Sequence, residues 1–181
     1  ITVDSQSSIK EIKLNYIVES PETNVGGTQN IDAQGKSGYQ VFSTDLSTND
    51  SSRYIPIGVT LTYSWTIESN TGTLLTTEKQ TYVFLDGRFD WKKKESDNIE
   101  VFYYGDDQRG VTGIGATKDA LESVTDLLQV TVPYKVKVVI WDTEKNGEAA
   151  QRSRGSTFDA AVSTLGTRVA TDLVHIYETR G

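Results

Sequence analysis

The 181-residue chain contains no cysteine and no methionine, one histidine and three prolines. Without cysteine there is neither a disulfide framework nor a thiolate metal site. The single imidazole, His175, leaves no histidine pair for zinc. A Ser/His/Asp triad would have to centre on that same residue, and no Gly-x-Ser-x-Gly elbow accompanies it. Its neighbours Val174 and Ile176 mark it instead as a strand side chain bonded to something nearby. Long apolar runs are also missing: none approaches the roughly 20 residues that span a bilayer, so no transmembrane segment is expected. Positive charge is scarce as well, with 18 Lys and Arg against 25 Asp and Glu and a net charge of −7. That balance argues against a nucleic-acid partner, whose phosphates are held by Lys and Arg. The sharpest basic cluster, Lys92-Lys93-Lys94, is three residues long and reads as a solvated turn after Trp91. No catalytic, cofactor-binding or metal-binding residue is therefore expected.

Hydrophobic residues make up 36% of the chain, below the usual globular share, but three Trp, nine Tyr and five Phe supply large buried areas per residue. Ser, Thr, Asn, Gly and Tyr are plentiful, a composition that suggests an extracellular or cell-surface bacterial protein, and a signal peptide is expected to have been removed from it.

Residues 1–86 carry the period of strands. Ile12, Leu14, Tyr16 and Val18 alternate along residues 9–18. Residues 20–38 are rich in Pro, Gly, Asn, Thr and Gln and read as a long loop or loose edge hairpin. After a short strand at 39–42, residues 57–68 place Val59, Leu61, Tyr63, Trp65 and Ile67 on one face and threonines and Ser64 on the other. Ser69-Asn70-Thr71-Gly72 is a hairpin turn, and 74–75 and 81–84 are the return strands. Five to seven short strands with no helical period predict an immunoglobulin- or fibronectin-like β-sandwich. Trp65 is its expected core anchor, with carbohydrate stacking as the alternative for the same ring.

Residues 87–91 form the expected junction, where Phe89 and Trp91 either wedge two domains apart or begin the second core. Beyond it, residues 92–181 read as a small α+β region. Residues 99–104 are a strand. Residues 105–110 are an oxygen-rich turn, solvated rather than built to the spacing of a Ca²⁺ loop. The period then changes to 3.6 over about 112–129, with Ile114, Leu121, Val124 and Leu128 on one face and Leu127 beside them. Gly113 and Gly115 lack the remaining glycine and the Lys-Ser/Thr of a phosphate loop and are read as packing glycines. Pro133 stops the helix. Residues 135–142 are a strand covered on both faces, with Val136, Val138 and Ile140 opposite Val139 and Trp141. A short helix is expected near 144–152, turns at 155–158 and 165–167, and a last strand over 172–178. The fold expected is thus mainly β with an α+β second region: a sandwich, then a strand–helix–strand unit.

Arg88-Phe89-Asp90-Trp91, the strand 99–104, the helix ending in Leu127-Leu128 and the run Pro133-Tyr134-Lys135-Val136-Lys137-Val138-Val139-Ile140 resemble the peptidase MA-like gluzincin family. Ile12-Lys13-Leu14-Asn15-Tyr16 and the run from Tyr54 to Gly58 and on through Tyr63-Ser64-Trp65 resemble its N-terminal domain. The resemblance implies a secreted protein with a sandwich domain followed by a zinc metalloprotease domain. Such enzymes hold zinc with His-Glu-x-x-His on a helix. That motif has no matching position here, since His175 is followed by Ile176-Tyr177-Glu178, and no catalytic residue carries over. The expectation is a non-catalytic N-terminal portion of such a protein, acting as scaffold or interaction module. The alternative is an extracellular surface, filament or adhesive subunit assembling through its edge strands. Either way the partner is a protein or another copy of the chain.

Overall fold

The computed structural model describes residues 1–22, 24–33, 35–50, 53–152 and 165–178. The chain is mainly β, with 43% strand and 17% helix. Two short strands, β1 (Thr2–Ser5) and β4 (Gly38–Val41), pair antiparallel as a small ribbon. Between them, β2 (Ile9–Val18) pairs antiparallel with β3 (Val25–Ile31) and with β5 (Thr60–Ser69). β6 (Leu74–Thr76) and β7 (Gln80–Val83) both pair with β5, so the antiparallel sheet runs β3-β2-β5-β6 with β7 alongside. The segment expected as a loop or loose hairpin therefore contributes a seven-residue strand. Its Gly26 and Gly27 sit opposite Ile17 and Tyr16, where bare backbone lets the Tyr16 ring lie across the strand.

The second sheet is mixed and runs β11-β12-β10-β9-β8. β8 (Lys92–Ser96) pairs antiparallel with β9 (Ile99–Tyr103), and α1 (Asp107–Leu128) then carries the chain to β10 (Val136–Trp141), parallel to β9. After α2 (Glu144–Ala149), β11 (Gly166–Ala170) and β12 (Leu173–Tyr177) form an antiparallel pair, with β12 parallel to β10. The lysine cluster is thus an edge strand and not a turn. Lys92 pairs with Asp107 at 2.7 Å, and Lys93 with Glu95 at 3.1 Å and with Glu100 at 3.6 Å. A lysine-studded edge resists pairing with other chains. The turn expected at 165–167 lies at the start of β11, and the one expected at 155–158 falls outside the described residues.

Helix α1 begins five residues before its expected start. Asp106 is its N-cap, accepting from Gln108 N at 2.9 Å, so the oxygen-rich turn is the opening of the helix. Gly110, at the end of that turn, hid this, since glycine in a helix interior is disfavoured by roughly 1 kcal/mol, whereas Gly113 is read from the sequence as a packing glycine. Here they are the buried residues of α1. A Cβ on Gly113 would lie 2.7 Å from Ile140 and 2.9 Å from Val101, so the missing side chain sets how closely helix and sheet approach. The helix ends at Gln129, whose φ of 55° is a left-handed C-cap.

The two faces of β10 pack as its alternation predicts. Val138 and Ile140 join Ile99, Val101 and Tyr103 under α1, with Ile114 and Leu121 partly buried against them. Val139 and Trp141 join Phe102, Tyr104, Leu173 and Tyr177 in the largest buried cluster. That cluster also contains Tyr16, Ile55, Ile57, Val59 and Leu61, so it draws on residues from both sides of 87–91. Phe89 and Trp91 are partly buried against it, stacked on or edge-on to Tyr104 and Trp141. A smaller cluster of Ile9, Ile12, Ala33, Phe42 and Ile67 holds the antiparallel sheet to the β1–β4 ribbon, with Trp65 partly buried at its margin.

The link between the sheets is the stretch just before β5. It has little regular structure, yet Ile55, Ile57 and Val59 are buried in it. Buried backbone needs partners, and these groups have them. Gly58 N donates to Phe84 O at 2.7 Å, Ile55 N to Thr48 O at 2.7 Å, and the carbonyl of Ile57 accepts from His175. Gly58 has φ of 93°, and a Cβ there would meet Val139 at 2.6 Å and Leu173 at 2.8 Å. Only glycine fits.

Candidate functional site

Because β9, β10 and β12 are parallel, their C-terminal ends lie side by side. In open sheets with parallel strands, that edge is where ligands usually bind. It brings together Tyr104, Asp142 and Glu178, each one residue past its strand, with the N-termini of α1 and α2. The polar groups there satisfy one another. Asp142 Oδ1 accepts from Tyr104 Oη at 2.6 Å, Asn146 Nδ2 at 2.7 Å and Thr143 Oγ1 at 3.3 Å. Burial alone would push the Asp142 carboxyl up, but those three donors outweigh it and hold the group below the usual carboxylate range. Burial, reinforced by the bond to Asp142, pushes the Tyr104 phenol up to about 12. Arg109 donates to the Tyr104 carbonyl at 2.8 Å and pairs with Glu178 at 2.9 Å. Neither the Tyr104 phenol nor the Asp142 carboxyl is poised to exchange a proton near neutral pH.

His175 is fully buried on β12. Trp141 Nε1, which can only donate, lies 3.3 Å from its Nδ1, and Gln151 Nε2 lies 3.0 Å from the same atom. Nδ1 is therefore the acceptor, and Nε2 carries the proton it donates to Ile57 O at 2.8 Å. Burial lowers its pKa to about 4, partly offset by the bond to Ile57. Both ring nitrogens are engaged, so the imidazole is a neutral brace between β12 and the pre-β5 stretch. Asp106 and Asp107, weighed above for Ca²⁺, are occupied by the helix cap and by Lys92. Among the described residues, no group of three or more His, Cys, Asp or Glu side chains is arranged to hold a metal ion. Nor is any described helix long and apolar enough to cross a membrane.

The third charged feature lies at the opposite end of β10. Lys137 and Asp172 form an ion pair at 3.1 Å with side chains only 10% and 9% exposed, and Lys137 also donates to Thr60 Oγ1 at 3.0 Å. They lie at a polar cleft of about 400 Å³ that includes Glu19, Glu100 and Lys135. The pair lies within the mixed sheet, and the Lys137–Thr60 bond ties that sheet to β5.

The surface that remains unsatisfied is apolar. A groove of about 780 Å³ runs along α1 beside the faces of β10 and β12, lined mostly by aliphatic side chains. The expected core face of α1 accounts for only part of the helix. Ile114 and Leu121 pack inward, whereas Val124, Leu128 and Leu127 are 45%, 60% and 81% exposed. On the same side, Ile176 of β12 is 39% exposed. Sequence periodicity placed all five helix residues against the core because it reports one apolar stripe and not whether a partner covers it. A second, shallower hollow of about 370 Å³ includes Trp65, Tyr63, Leu14 and Tyr82. Trp65 thus packs on the smaller core with one side and borders this hollow with the other.

Comparison with protein-family models, with curated proteins and with solved structures finds no match for this chain.

Proposed function

We propose that this chain is a non-catalytic scaffold or interaction module, the front portion of a secreted peptidase MA-like protein. Its antiparallel half belongs, in this reading, to the immunoglobulin-like β-sandwiches, and its setting is extracellular or on the cell surface. The observation that carries the interaction role is the apolar groove along α1, where an amphipathic helix leaves aliphatic residues in water beside a partly bare sheet face. Exposed apolar patches of this kind mark contact surfaces. The chemistry-bearing groups support the same reading, since His175, Asp142 and Arg109 all serve packing or bracing contacts. The relation to the gluzincins rests on the sequence runs quoted above.

A second reading has its own support. β3 is an edge strand of the antiparallel sheet and carries neither lysine nor proline, in contrast to β8. Such an edge is open to strand addition, as in a filament or adhesive subunit.

The test joins two measurements. Zinc content and casein hydrolysis of the purified chain are expected to be negligible. About one zinc per chain with cleavage lost to a chelator overturns the non-catalytic reading. An intact mass in the source well above 20 kDa, with His-Glu-x-x-His downstream, favours the first reading. Ordered polymers of the chain itself favour the second.

A further inference from the structure

The groove beside α1 has the dimensions, lining and charge of a seat for one more helix. Neighbouring strands lie about 4.8 Å apart, so five strands span roughly 19 Å, about the width of two helices. Among the described residues α1 packs chiefly over β9 and β8, which leaves room for a second helix over β10 and β12. The wall that α1 turns toward this space is a second stripe at helical spacing: Thr112, Ala116, Ala120 and Val124. All four are exposed, and Leu127 extends the same face. Small side chains along a helix allow an adjacent helix axis to approach to about 8 Å. From Arg109 to Val124 the wall is about 24 Å long at 1.5 Å per residue, which suits an occupant of about 16 residues.

Charge narrows the occupant further. On a helical wheel Asp119 and Asp126 flank this stripe on its outer side, and both are exposed. Asp106 stands at the end of the groove near the strand C-termini. Arg109 is the only cation among the described residues lining the groove, and Glu178 already neutralises it. The border is therefore acidic. A second copy would bring its own acidic α1 against this one, with like charges along the contact.

We propose that this groove docks an amphipathic helix of a separate protein, with an apolar stripe of small and aliphatic residues and Lys or Arg along its flanks. This rests on the reading of the chain as an interaction module and deepens it by stating the chemistry of the partner.

The experiment uses the whole chain and two fluorescein-labelled, hydrocarbon-stapled 16-residue helices. Both carry the same Leu/Ala stripe; one has Lys and Arg flanks and the other Glu flanks. Binding is followed by fluorescence anisotropy and by backbone amide shifts. The basic helix is expected to saturate, with shifts concentrated at 109–124 and 174–176. Ala120→Arg, at an exposed position, is expected to weaken it at least tenfold while the circular dichroism spectrum is unchanged. Replacing Asp119 and Asp126 by Lys is expected to reverse the preference between the two helices. Equal binding of the acidic helix by the native chain overturns the proposal, as does unchanged affinity in Ala120→Arg. So does sedimentation showing a dimer that Ala120→Arg dissociates, because the occupant is then a second copy. Should neither helix bind α1 while another protein cross-links elsewhere on the chain, the module reading survives and this inference fails. Chelator-sensitive hydrolysis would remove the module reading itself.

Discussion

The two faces of the mixed sheet carry similar sequence and meet different fates. On one face Lys137, Val139 and Trp141 of β10 and Leu173, His175 and Tyr177 of β12 are all buried, closed over by the stretch before β5. On the other, α1 covers Val138 and Ile140 but leaves Ile176 and its own Val124 and Leu127 in water. The closed face includes polar groups, and every one named here has a partner. The open face is nearly all apolar and has none of the braces. Stability is thus concentrated on the closed face, while the proposed docking groove lies on the open one, and substitutions on each should read out differently.

The largest effect is expected at the closed face's ion pair. Removing the carboxylate in Asp172→Ala leaves the Lys137 ammonium buried without its counter-charge, and breaking such a pair costs about 3–5 kcal/mol. Urea unfolding should show that loss. The double variant Lys137→Met, Asp172→Leu should recover most of it, since desolvating both charges roughly cancels their attraction. If the single variant unfolds like the native chain, this pair does not stabilise the closed face.

The histidine brace predicts a pH dependence of defined sign. The folded pKa is depressed to about 4 from 6.5, so the unfolded chain binds the extra proton first as pH falls. His175 therefore contributes fully above about pH 6.5, and its contribution declines through the interval down to about pH 4. At 1.36 kcal/mol per unit, the change is about 3 kcal/mol. The slope of unfolding free energy against pH should flatten in that window in His175→Gln. An equal slope in the variant would show that other groups carry it.

A smaller contrast lies within α1 itself. Gly113 touches the sheet, so Gly113→Ala must displace Val101 or Ile140 and is expected to cost about 1–3 kcal/mol. Gly115, two residues on, has nothing within 4 Å of an added Cβ. Gly115→Ala should stabilise the chain by up to about 1 kcal/mol through helix propensity alone. Thermal unfolding of both variants separates the two faces of one helix turn.

These glycines also show where sequence reasoning stopped. The pattern of β10 was legible down to its two faces, because period-2 alternation of Val, Ile and Trp has one geometric solution. The strand character of 172–178 followed from the same reasoning, the hairpin turn at Ser69–Gly72 from its turn residues, and His175 was read as a strand side chain bonded to a neighbour. β8 was missed because three lysines carry no apolar signal, although an edge strand needs none. β3 was read as a loop or loose hairpin because Gly26, Gly27 and the polar residues around them outweighed its pairing, which is a property of β2. The start of α1 was placed late because Gly110 looks like a breaker until its close approach to the Tyr103 ring is known. No local pattern could show that α1 has two apolar stripes, one covered and one bare.

The weakest expected effect on stability is the most telling for that last point. Leu127 is 81% exposed, so Leu127→Ser removes little buried area and should change unfolding free energy by no more than about 0.5 kcal/mol. Leu121, on the covered stripe and partly buried against the cluster under α1, should lose about 2 kcal/mol or more on truncation to Ala. A leucine kept in water at no benefit to the fold needs another reason for its place, and a docking surface supplies one. If Leu127→Ser proves as costly as Leu121→Ala in chemical denaturation, the bare stripe is part of the folded core in solution. The open face would then be closed, and the contrast between the two faces of the sheet would disappear.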